Sequence, residues 1–216
     1  MTDWDKELTE IRNAIRQFEL PSVNIIEAGS NSPWAVLVST IISLRTKDKV
    51  TLEASRRLLN KAPDPFKLLT MTPGSIAALI YPAGFYNVKA ENLLKIADIL
   101  VKDYSGKVPD SADKLKKLPG VGLKSANLIL SLAFGIPAIC VDTHVHRIAN
   151  RKGWVKTKTP EETEKELTKI LPEKWWIEIN TILVSFGSNI CLPVSPKCSE
   201  CPQSSNCPKT EVSRHR

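Results

Sequence analysis

The sequence lacks any apolar run that approaches the roughly 20 residues needed to span a bilayer. Its first 20 residues are acidic and amphipathic, unlike the basic and then apolar pattern of a secretory signal peptide. Both absences predict an intracellular, cytoplasmic protein. Disulfides are rare in that compartment, so none is expected here.

Signals for β-hairpins are also missing, since the chain contains neither Asn-Gly nor Asp-Gly and β-branched residues seldom alternate with polar ones. Capping residues instead precede prolines, as helix starts do, at Ser32-Pro33, Asp64-Pro65, Thr72-Pro73 and Thr159-Pro160. Thr159 and Glu162 have the spacing of a capping box. The sequence therefore predicts an all-α fold. The predicted helices span about residues 4–20, 33–45, 48–61, 65–70, 74–80, 87–104, 111–117, 123–134, 142–152, 160–171 and 175–189.

Acidic residues are fewer than basic ones: 23 Asp and Glu stand against 30 Lys and Arg, which gives a net charge of +7. An excess of this kind suits a polyanionic partner such as nucleic acid. A soluble protein that is merely basic explains the composition about equally well.

A glycine-rich turn lies between two predicted helices in the segment 118–127, LPGVGLKSAN. Gly120 and Gly122 permit a tight turn with positive φ and a close approach of a ligand to the backbone, and Val121 would point inward. The helix that follows directs its N–H groups and positive dipole end to the same place, so a DNA phosphate is an expected ligand. A nucleotide P-loop is excluded because no strand precedes the turn and Leu123 separates Gly122 from the lysine. A plain helix–turn–helix corner is the alternative.

Four of the five cysteines lie near the C-terminus in the pattern Cys-x6-Cys-x2-Cys-x5-Cys, at Cys191, Cys198, Cys201 and Cys207. In a reducing compartment such a group binds metal more often than it forms disulfides. Structural zinc sites usually combine two Cys-x2-Cys pairs, whereas iron–sulfur clusters take four cysteines from compact runs. The spacing alone leaves both metals open. Cys140 lies outside the pattern and is expected in the core.

Three motifs in this order resemble the endonuclease III family of helix-hairpin-helix-Gly-Pro-Asp DNA glycosylases. They are GFYNVKAENLLKIA at 84–97, LPGVGLKSAN followed by VDTHVHRIANR, and the four-cysteine tail. The resemblance implies a [4Fe–4S] cluster on the four cysteines. It also implies that the protein is a monomer and that its partner is double-stranded DNA with damaged bases or abasic sites. It also implies two helical lobes with the DNA cleft between them. We expect one lobe at 22–137 and the other at 1–21 with 138–216.

By the same resemblance, Lys124 and Asp142 face each other across the cleft as the catalytic pair. Lys124 opens the second helix of the hairpin, where the helix dipole and partial burial favour an uncharged, nucleophilic amine. It would form a Schiff base with the sugar, while Asp142 stabilises the cationic sugar and assists deprotonation. On the residues alone, a solvated lysine and a helix N-cap explain the two positions. His144 is expected to pack or to contact the DNA.

Other positions are assigned to DNA contacts by resemblance. Phe85 matches the residue that wedges into the duplex, usually leucine, and Arg45 matches a glutamine that enters the space left by a flipped nucleotide. Asp48 matches an aspartate that lines the substrate pocket. Lys197 is expected to touch a phosphate because of its place in the loop between the first two cysteines of the tail, not by resemblance. On the residues alone, Phe85 suits the core, Arg45 a solvated helix end and Asp48 an N-cap. Six further residues are candidates for a phosphate-facing surface: Lys47, Lys49, Lys89, Arg147, Arg151 and Lys152.

The function implied by the resemblance is a bifunctional DNA glycosylase and AP lyase of base excision repair, acting above all on oxidised pyrimidines. In a prokaryote it would be associated with the nucleoid. A mismatch glycosylase for thymine or adenine from the same superfamily is an alternative, because Arg45 departs from the usual glutamine; such enzymes often lack the lysine. A non-catalytic DNA-binding module built on the hairpin and a metal-bound tail is the second alternative.

Overall fold

The computed structural model describes residues 2–216, and twelve α-helices lie in that range. They are α1 (Trp4–Ile15), α2 (Ser22–Ser30), α3 (Pro33–Ser43), α4 (Asp48–Lys61), α5 (Pro65–Leu68), α6 (Pro73–Ile80), α7 (Tyr86–Tyr104), α8 (Ala112–Leu115), α9 (Leu123–Phe134), α10 (Thr143–Arg151), α11 (Pro160–Ile170) and α12 (Glu178–Asn189). Short 3₁₀ turns lie at Glu173–Trp175 and Cys198–Glu200. The described residues contain no strand, so the predicted all-α fold is confirmed. None of their helices has the length and apolar character that crossing a membrane requires.

The chain divides into two compact units. One comprises Ser22–Ile136, and the other comprises the residues up to Pro21 together with Pro137–Arg216. In the first unit α3 packs against α2, α4, α7 and α9. In the second unit α12 packs against α1 and α10, and α10 also packs against α11. The N-terminal helix therefore belongs to the same unit as the cysteine-rich tail.

The interior of the Ser22–Ile136 unit is formed largely by α3 and α9. Every residue of α3 from Trp34 to Ile42 is buried, as is every residue of α9 from Ser125 to Ser131. A helix that is apolar nearly all round is expected to be packed on all sides, and α9 confirms this. Gly135 ends α9 in the left-handed conformation, with a φ of 63°, as the Gly-Ile-Pro sequence predicts.

Two helix predictions near the N-terminus are wrong. The helix α1 ends at Ile15 rather than near residue 20, and α2 was not predicted at all. The start of α2 depends on a distant residue: the carboxylate of Asp48 accepts hydrogen bonds from the Ser22 backbone N–H at 3.0 and 3.1 Å and from its hydroxyl at 2.6 Å. A cap supplied from 26 residues away leaves no signal in the local sequence.

Most predicted helix starts hold. The side chains of three predicted caps accept a backbone N–H of the first turn: Asp64, Thr72 and Thr159. Ser32 makes no such bond. The capping box predicted for Thr159 and Glu162 forms only in part, because the Glu162 carboxylate accepts from the backbone of Lys158 at 2.8 Å. Local capping chemistry thus predicts where these helices begin. It predicts less well the second bond of a capping box, from the backbone N–H of the cap residue to the side chain three positions later.

Candidate active site and nucleic-acid interface

The glycine-rich turn joins α8 to α9. Gly120 has a φ of 78°, so the predicted positive φ is confirmed there, whereas Gly122 has a φ of −90° and caps α9 with an extended backbone. Val121 is 6% exposed and points inward as expected. A Cβ added to Gly122 would meet no atom of the protein within 4 Å. The fold itself does not require glycine at 122, and the space beside its backbone is open.

Lys124 is the second residue of α9 and is half-buried. It lies where the exposed turn at Gly122 and Leu123 gives way to the fully buried stretch that begins at Ser125. The cap residue, being glycine, supplies no side-chain acceptor to the N–H groups of the first turn. The hairpin and a primary amine therefore share one end of one helix.

Asp142 is the N-cap of α10. Its Oδ1 accepts hydrogen bonds from the backbone N–H groups of His144 at 2.8 Å and Val145 at 2.9 Å, and the residue is half-buried. The explanation as an N-cap is therefore confirmed. Asp142 belongs to the unit that contains the cysteine tail and Lys124 belongs to Ser22–Ile136, so their pairing across a cleft stays a prediction.

His144 is half-buried on α10, close to α12. Its Nδ1 lies 3.3 Å from the guanidinium of Arg147, and a Cβ added to Gly187 would come within 2.5 Å of the same nitrogen. The imidazole thus packs at a point where α12 approaches closely because position 187 has no side chain. Its contact with DNA stays a prediction.

Arg45 and Phe85 lie on two turns of the Ser22–Ile136 unit. Both adopt the left-handed conformation, with φ of 52° and 57°, and both are exposed. Phe85 is 61% exposed, so its assignment to the core is wrong. The guanidinium carbon of Arg45 lies 5.6 Å from the centre of the Phe85 ring, within the range of a cation–π contact. Two positions 40 residues apart, singled out separately in the sequence, thus meet in space.

Lys89 is one of the predicted phosphate contacts that the structure contradicts. It is 5% exposed, and its ammonium group donates hydrogen bonds to the carbonyls of Ile42 at 2.7 Å and Leu44 at 2.5 Å and to Thr46 Oγ1 at 2.8 Å. Burial lowers the pKa of Lys89 to about 8. The group serves the end of α3 and the turn that follows it.

The sequence did hold a signal for the burial of Lys89. On α7 it continues the stripe of buried residues Leu93, Ile96 and Leu100, at the helical spacing i, i+4, i+7 and i+11. A lysine in line with an apolar stripe occupies a core position, and its charge must then find partners inside the protein. The sequence does not indicate which carbonyls accept from the lysine, because they lie more than 40 positions away.

Arg151 and Lys152 are also buried, at 8% and 9% exposure, so they do not form a phosphate-facing surface. Arg151 donates to the carbonyls of Leu192 at 2.6 Å and Pro193 at 2.8 Å. Lys152 forms an ion pair with Glu7 at 3.0 Å. Its ammonium group also bonds to a side chain of the cysteine-rich tail, Gln203, at 2.9 Å.

Arg147 lies one turn before Arg151 on α10 and also faces inward. It donates to the carbonyls of Gly187 at 3.0 Å and Cys191 at 2.9 Å, and burial lowers its pKa. Of the six candidates for a phosphate-facing surface, Lys47 and Lys49 are exposed and stay candidates.

Asp48 is the first residue of α4, but the cap of that helix is Lys47. The explanation of Asp48 as the N-cap of its own helix is therefore wrong, since its carboxylate caps α2 through Ser22. A place in the substrate pocket stays a prediction. The bonds to Ser22 hold the starts of two helices together.

The four cysteines of the tail are half-buried free thiols that line one cavity. The lining of this cavity also includes the basic residues Arg151, Lys152, Lys197 and Lys209. Within residues 2–216, no three His, Cys, Asp or Glu side chains lie close enough together to hold a metal ion in these positions. Burial raises the pKa of the Cys201 thiol, so binding of a metal to it must release a proton.

Two further residues, Lys197 and Cys140, complete the placement of the predicted sites. Lys197 is half-buried and forms an ion pair with Glu200 at 3.6 Å, and its contact with a phosphate stays a prediction. Cys140 is 1% exposed, which confirms that it belongs to the core.

Comparison with known proteins decides the family. Residues 38–173 match the model of the HhH-GPD superfamily base excision DNA repair proteins. The chain belongs to this superfamily. Endonuclease III of Thermotoga maritima is 50% identical over 175 residues, which cover 81% of this HhH-GPD chain and 82% of that protein. The match to endonuclease III homolog 1, chloroplastic, of Arabidopsis thaliana is 42% identical and covers 95% of this chain but 59% of the longer plant protein.

A solved structure of a trapped endonuclease III–DNA covalent intermediate is similar to this HhH-GPD chain, with a TM-score of 0.80 at 30% identity over 97% of each chain. Together with the bacterial relative, it assigns the chain to the endonuclease III group, which confirms the resemblance drawn from its motifs. The chain is a DNA glycosylase with AP-lyase activity, an enzyme of base excision DNA repair.

Proposed function

We propose that the enzyme removes oxidised pyrimidines and other damaged bases through a Schiff base formed on Lys124. The observation that carries this proposal is the position of the lysine. It is half-buried in the first turn of α9, directly after the Gly120–Gly122 turn. A strand held by its phosphate at that turn would place a sugar near the amine.

The hairpin is the proposed phosphate site. The open space beside Gly122 lets a phosphate approach the backbone, and a helix N-terminus favours negative charge there. Val121 anchors the turn in the core, so the turn presents its backbone in a fixed position. The exposed residues Lys47 and Lys49 lie in the same unit and can add phosphate contacts.

The proposed reaction begins when the damaged nucleotide is flipped out of the duplex. The neutral amine of Lys124 attacks the anomeric carbon of the sugar, the bond from that carbon to the base breaks, and the base leaves with a proton. Opening of the sugar ring gives an imine between Lys124 and the anomeric carbon. Water takes a proton from the neighbouring carbon, the 3′ phosphate leaves, and the strand is cut. Hydrolysis of the imine then returns the free amine of Lys124.

Asp142 is proposed to stabilise the cationic sugar and to accept the proton of the attacking amine. Two N–H groups of α10 hold its Oδ1, so the carboxylate has one fixed orientation. His144, on the same helix turn, is proposed to contact the DNA.

Arg45 and Phe85 are proposed to enter the duplex. Their exposure and their positions on turns favour insertion, and an exposed phenyl ring can stack in the space that a flipped nucleotide leaves. The guanidinium group can donate hydrogen bonds to the base that loses its partner.

The four cysteines of the tail are proposed to hold a [4Fe–4S] cluster. Cys191, Cys198, Cys201 and Cys207 line one cavity, and the basic residues in its lining offset the negative charge of bound thiolates. When bound, the cluster cross-links the tail. A brown protein with iron and visible absorption supports this assignment, whereas bound zinc without colour contradicts it. Lys197, in the same loop, is proposed to reach a phosphate.

Borohydride trapping on duplexes with an abasic site or an oxidised pyrimidine tests the role of Lys124. We expect a covalent adduct with the wild-type enzyme and with Lys95→Ala, an exposed lysine of the same unit, and none with Lys124→Ala. Release of thymine or adenine from mismatches without an adduct would instead identify a mismatch glycosylase, and absence of all cleavage would identify a binding module. We further propose that the enzyme acts as a monomer in the cytoplasm, at the nucleoid in a prokaryote.

A further inference from the structure

The turns that carry Arg45 and Phe85 are joined by more than the contact of their side chains. Thr46 Oγ1 accepts a hydrogen bond from the Gly84 backbone N–H at 3.0 Å. The same turns meet main chain to main chain, because a Cβ added to Gly84 would collide with the carbonyl oxygen of Arg45. The residue after Arg45 and the residue before Phe85 are therefore each in contact with the opposite turn.

Lys89 bonds to both turns. Its ammonium group donates to the Leu44 carbonyl at 2.5 Å and to Thr46 Oγ1 at 2.8 Å, on either side of Arg45. Its backbone N–H donates to the carbonyl of Phe85 at 3.0 Å. This backbone bond is the first helical bond of α7, so the Phe85 turn lies directly before the helix that carries Lys89, while the Lys89 side chain holds the turn of Arg45.

A simpler role for Lys89 is to cap the C-terminus of α3, which it does through the Ile42 carbonyl at 2.7 Å. That role requires neither burial nor the other two bonds, since water can satisfy the end of a helix. Burying a cation is costly unless it is fully hydrogen-bonded. Here three acceptors match the three N–H groups of the ammonium, and two of them belong to the turn beyond the helix.

We propose that Lys89 is a positioning residue, which holds Arg45 and Phe85 as one pair and thereby sets how the enzyme distinguishes the base opposite the excised nucleotide. The inference rests on the proposed insertion of these two side chains into the duplex. A guanidinium group selects among bases only when its donors stand at fixed positions, because a mobile arginine can adapt to any acceptor. The Phe85 ring, 5.6 Å away, limits the movement of Arg45 further.

The test measures affinity for four duplexes that carry a tetrahydrofuran abasic analogue opposite A, C, G or T. We expect the wild-type dissociation constants to differ among the four opposite bases. The spread, which is the ratio of the largest to the smallest of the four constants, should narrow at least threefold in Arg45→Ala and in Lys89→Met. Thr46→Val, which removes the shared acceptor without changing the volume, should give an intermediate spread. Lys95→Met, an exposed lysine of the same helix, is the matched control and should keep the wild-type spread.

Borohydride trapping on abasic DNA separates positioning from a loss of folded enzyme. In Lys89→Met the DNA concentration for half-maximal trapping should rise at least threefold, with a smaller change in the maximal rate. Equal weakening for all four opposite bases would show a structural role only and overturn the inference. If thermal melting shows that Lys89→Met does not fold, Thr46→Val decides the question by the same criterion.

The proposed function and this inference fail in different ways. If Arg45→Ala narrows the spread whereas Lys89→Met and Thr46→Val keep it, the insertion of Arg45 stands and the positioning role of Lys89 is wrong. If the wild type shows no spread, or if Arg45→Ala keeps it, the role of Arg45 is wrong and the inference is overturned with it.

Discussion

In both units, buried or half-buried cations bond to irregular segments, but the number of cations differs. In Ser22–Ile136 one lysine, Lys89, serves a short turn after α3. In the other unit Arg147, Arg151 and Lys152 all bond to the end of α12 or to the tail beyond it. Backbone carbonyls that leave a helix need donors, so a longer irregular segment needs more of them. The cysteine tail, with a single 3₁₀ turn of regular structure after α12, also has four thiols available for cross-links.

The largest expected effect tests whether the tail depends on those cross-links. We expect Cys201→Ala, or removal of the proposed cluster by a chelator, to lower the melting temperature by roughly 10 °C and to expose the tail to protease, because metal binding and folding are coupled. Circular dichroism and limited proteolysis followed by mass spectrometry measure both changes. Cys140→Ala, the cysteine outside the cavity, should keep the tail protected. If the tail of Cys201→Ala stays as protected from protease as that of the wild type, the tail does not depend on cross-links through its thiols.

The next effect concerns the cations of the cysteine-rich unit. Arg151→Met should lower the free energy of unfolding by about 3 kcal/mol, because the carbonyls of Leu192 and Pro193 lose a charged and buried donor. Arg56→Met, an exposed arginine of the other unit, should change it by less than about 0.5 kcal/mol. Urea denaturation measures both values. Equal losses in the two variants would show that the buried bonds add nothing.

A smaller effect is expected where the two turns of Ser22–Ile136 meet. Gly84→Ala should cost about 2 kcal/mol, because its Cβ would collide with a backbone oxygen that cannot move aside easily. Gly74→Ala is the matched control: nothing lies within 4 Å of its Cβ, and alanine favours the helix by about 0.5 kcal/mol. The two substitutions should therefore change the free energy of unfolding in opposite directions. The same sign for both would show that the turns are not in tight contact.

The smallest effect is the pH dependence contributed by Lys89. Burial lowers its pKa from 10.5 to about 8, so between these values the unfolded chain binds more protons than the folded one. The free energy of unfolding of the wild type should therefore rise with pH in this window, relative to Lys89→Met, by about 1 kcal/mol. Three hydrogen bonds to the ammonium favour its charged form and limit the rise. Denaturation at pH 7.5 and 10 measures it, and a difference that falls with pH would show that folding raises the pKa of Lys89 rather than lowering it.

Much of the candidate site could be predicted because its signals are local or lie in motifs. Gly120 with positive φ, the inward Val121 and the N-cap Asp142 follow from the short-range chemistry of turns and helix ends. Phe85 and Arg45 could be singled out, but not their contact, because no short-range rule joins residues 40 positions apart. The cap of α2 failed for the same reason, since Asp48 comes from another helix.

The sequence by itself determined the all-α fold, the ends of most helices, the glycine turn before Lys124 and the membership of a DNA repair superfamily. Helix caps, turn residues and motif spacing act over a few positions, so they can be recognised in the chain. Only the tertiary structure decided that Lys89, Arg151 and Lys152 are internal donors rather than contacts for DNA. A basic side chain becomes a buried donor when acceptors from distant segments surround it, and that environment exists only after the helices have packed.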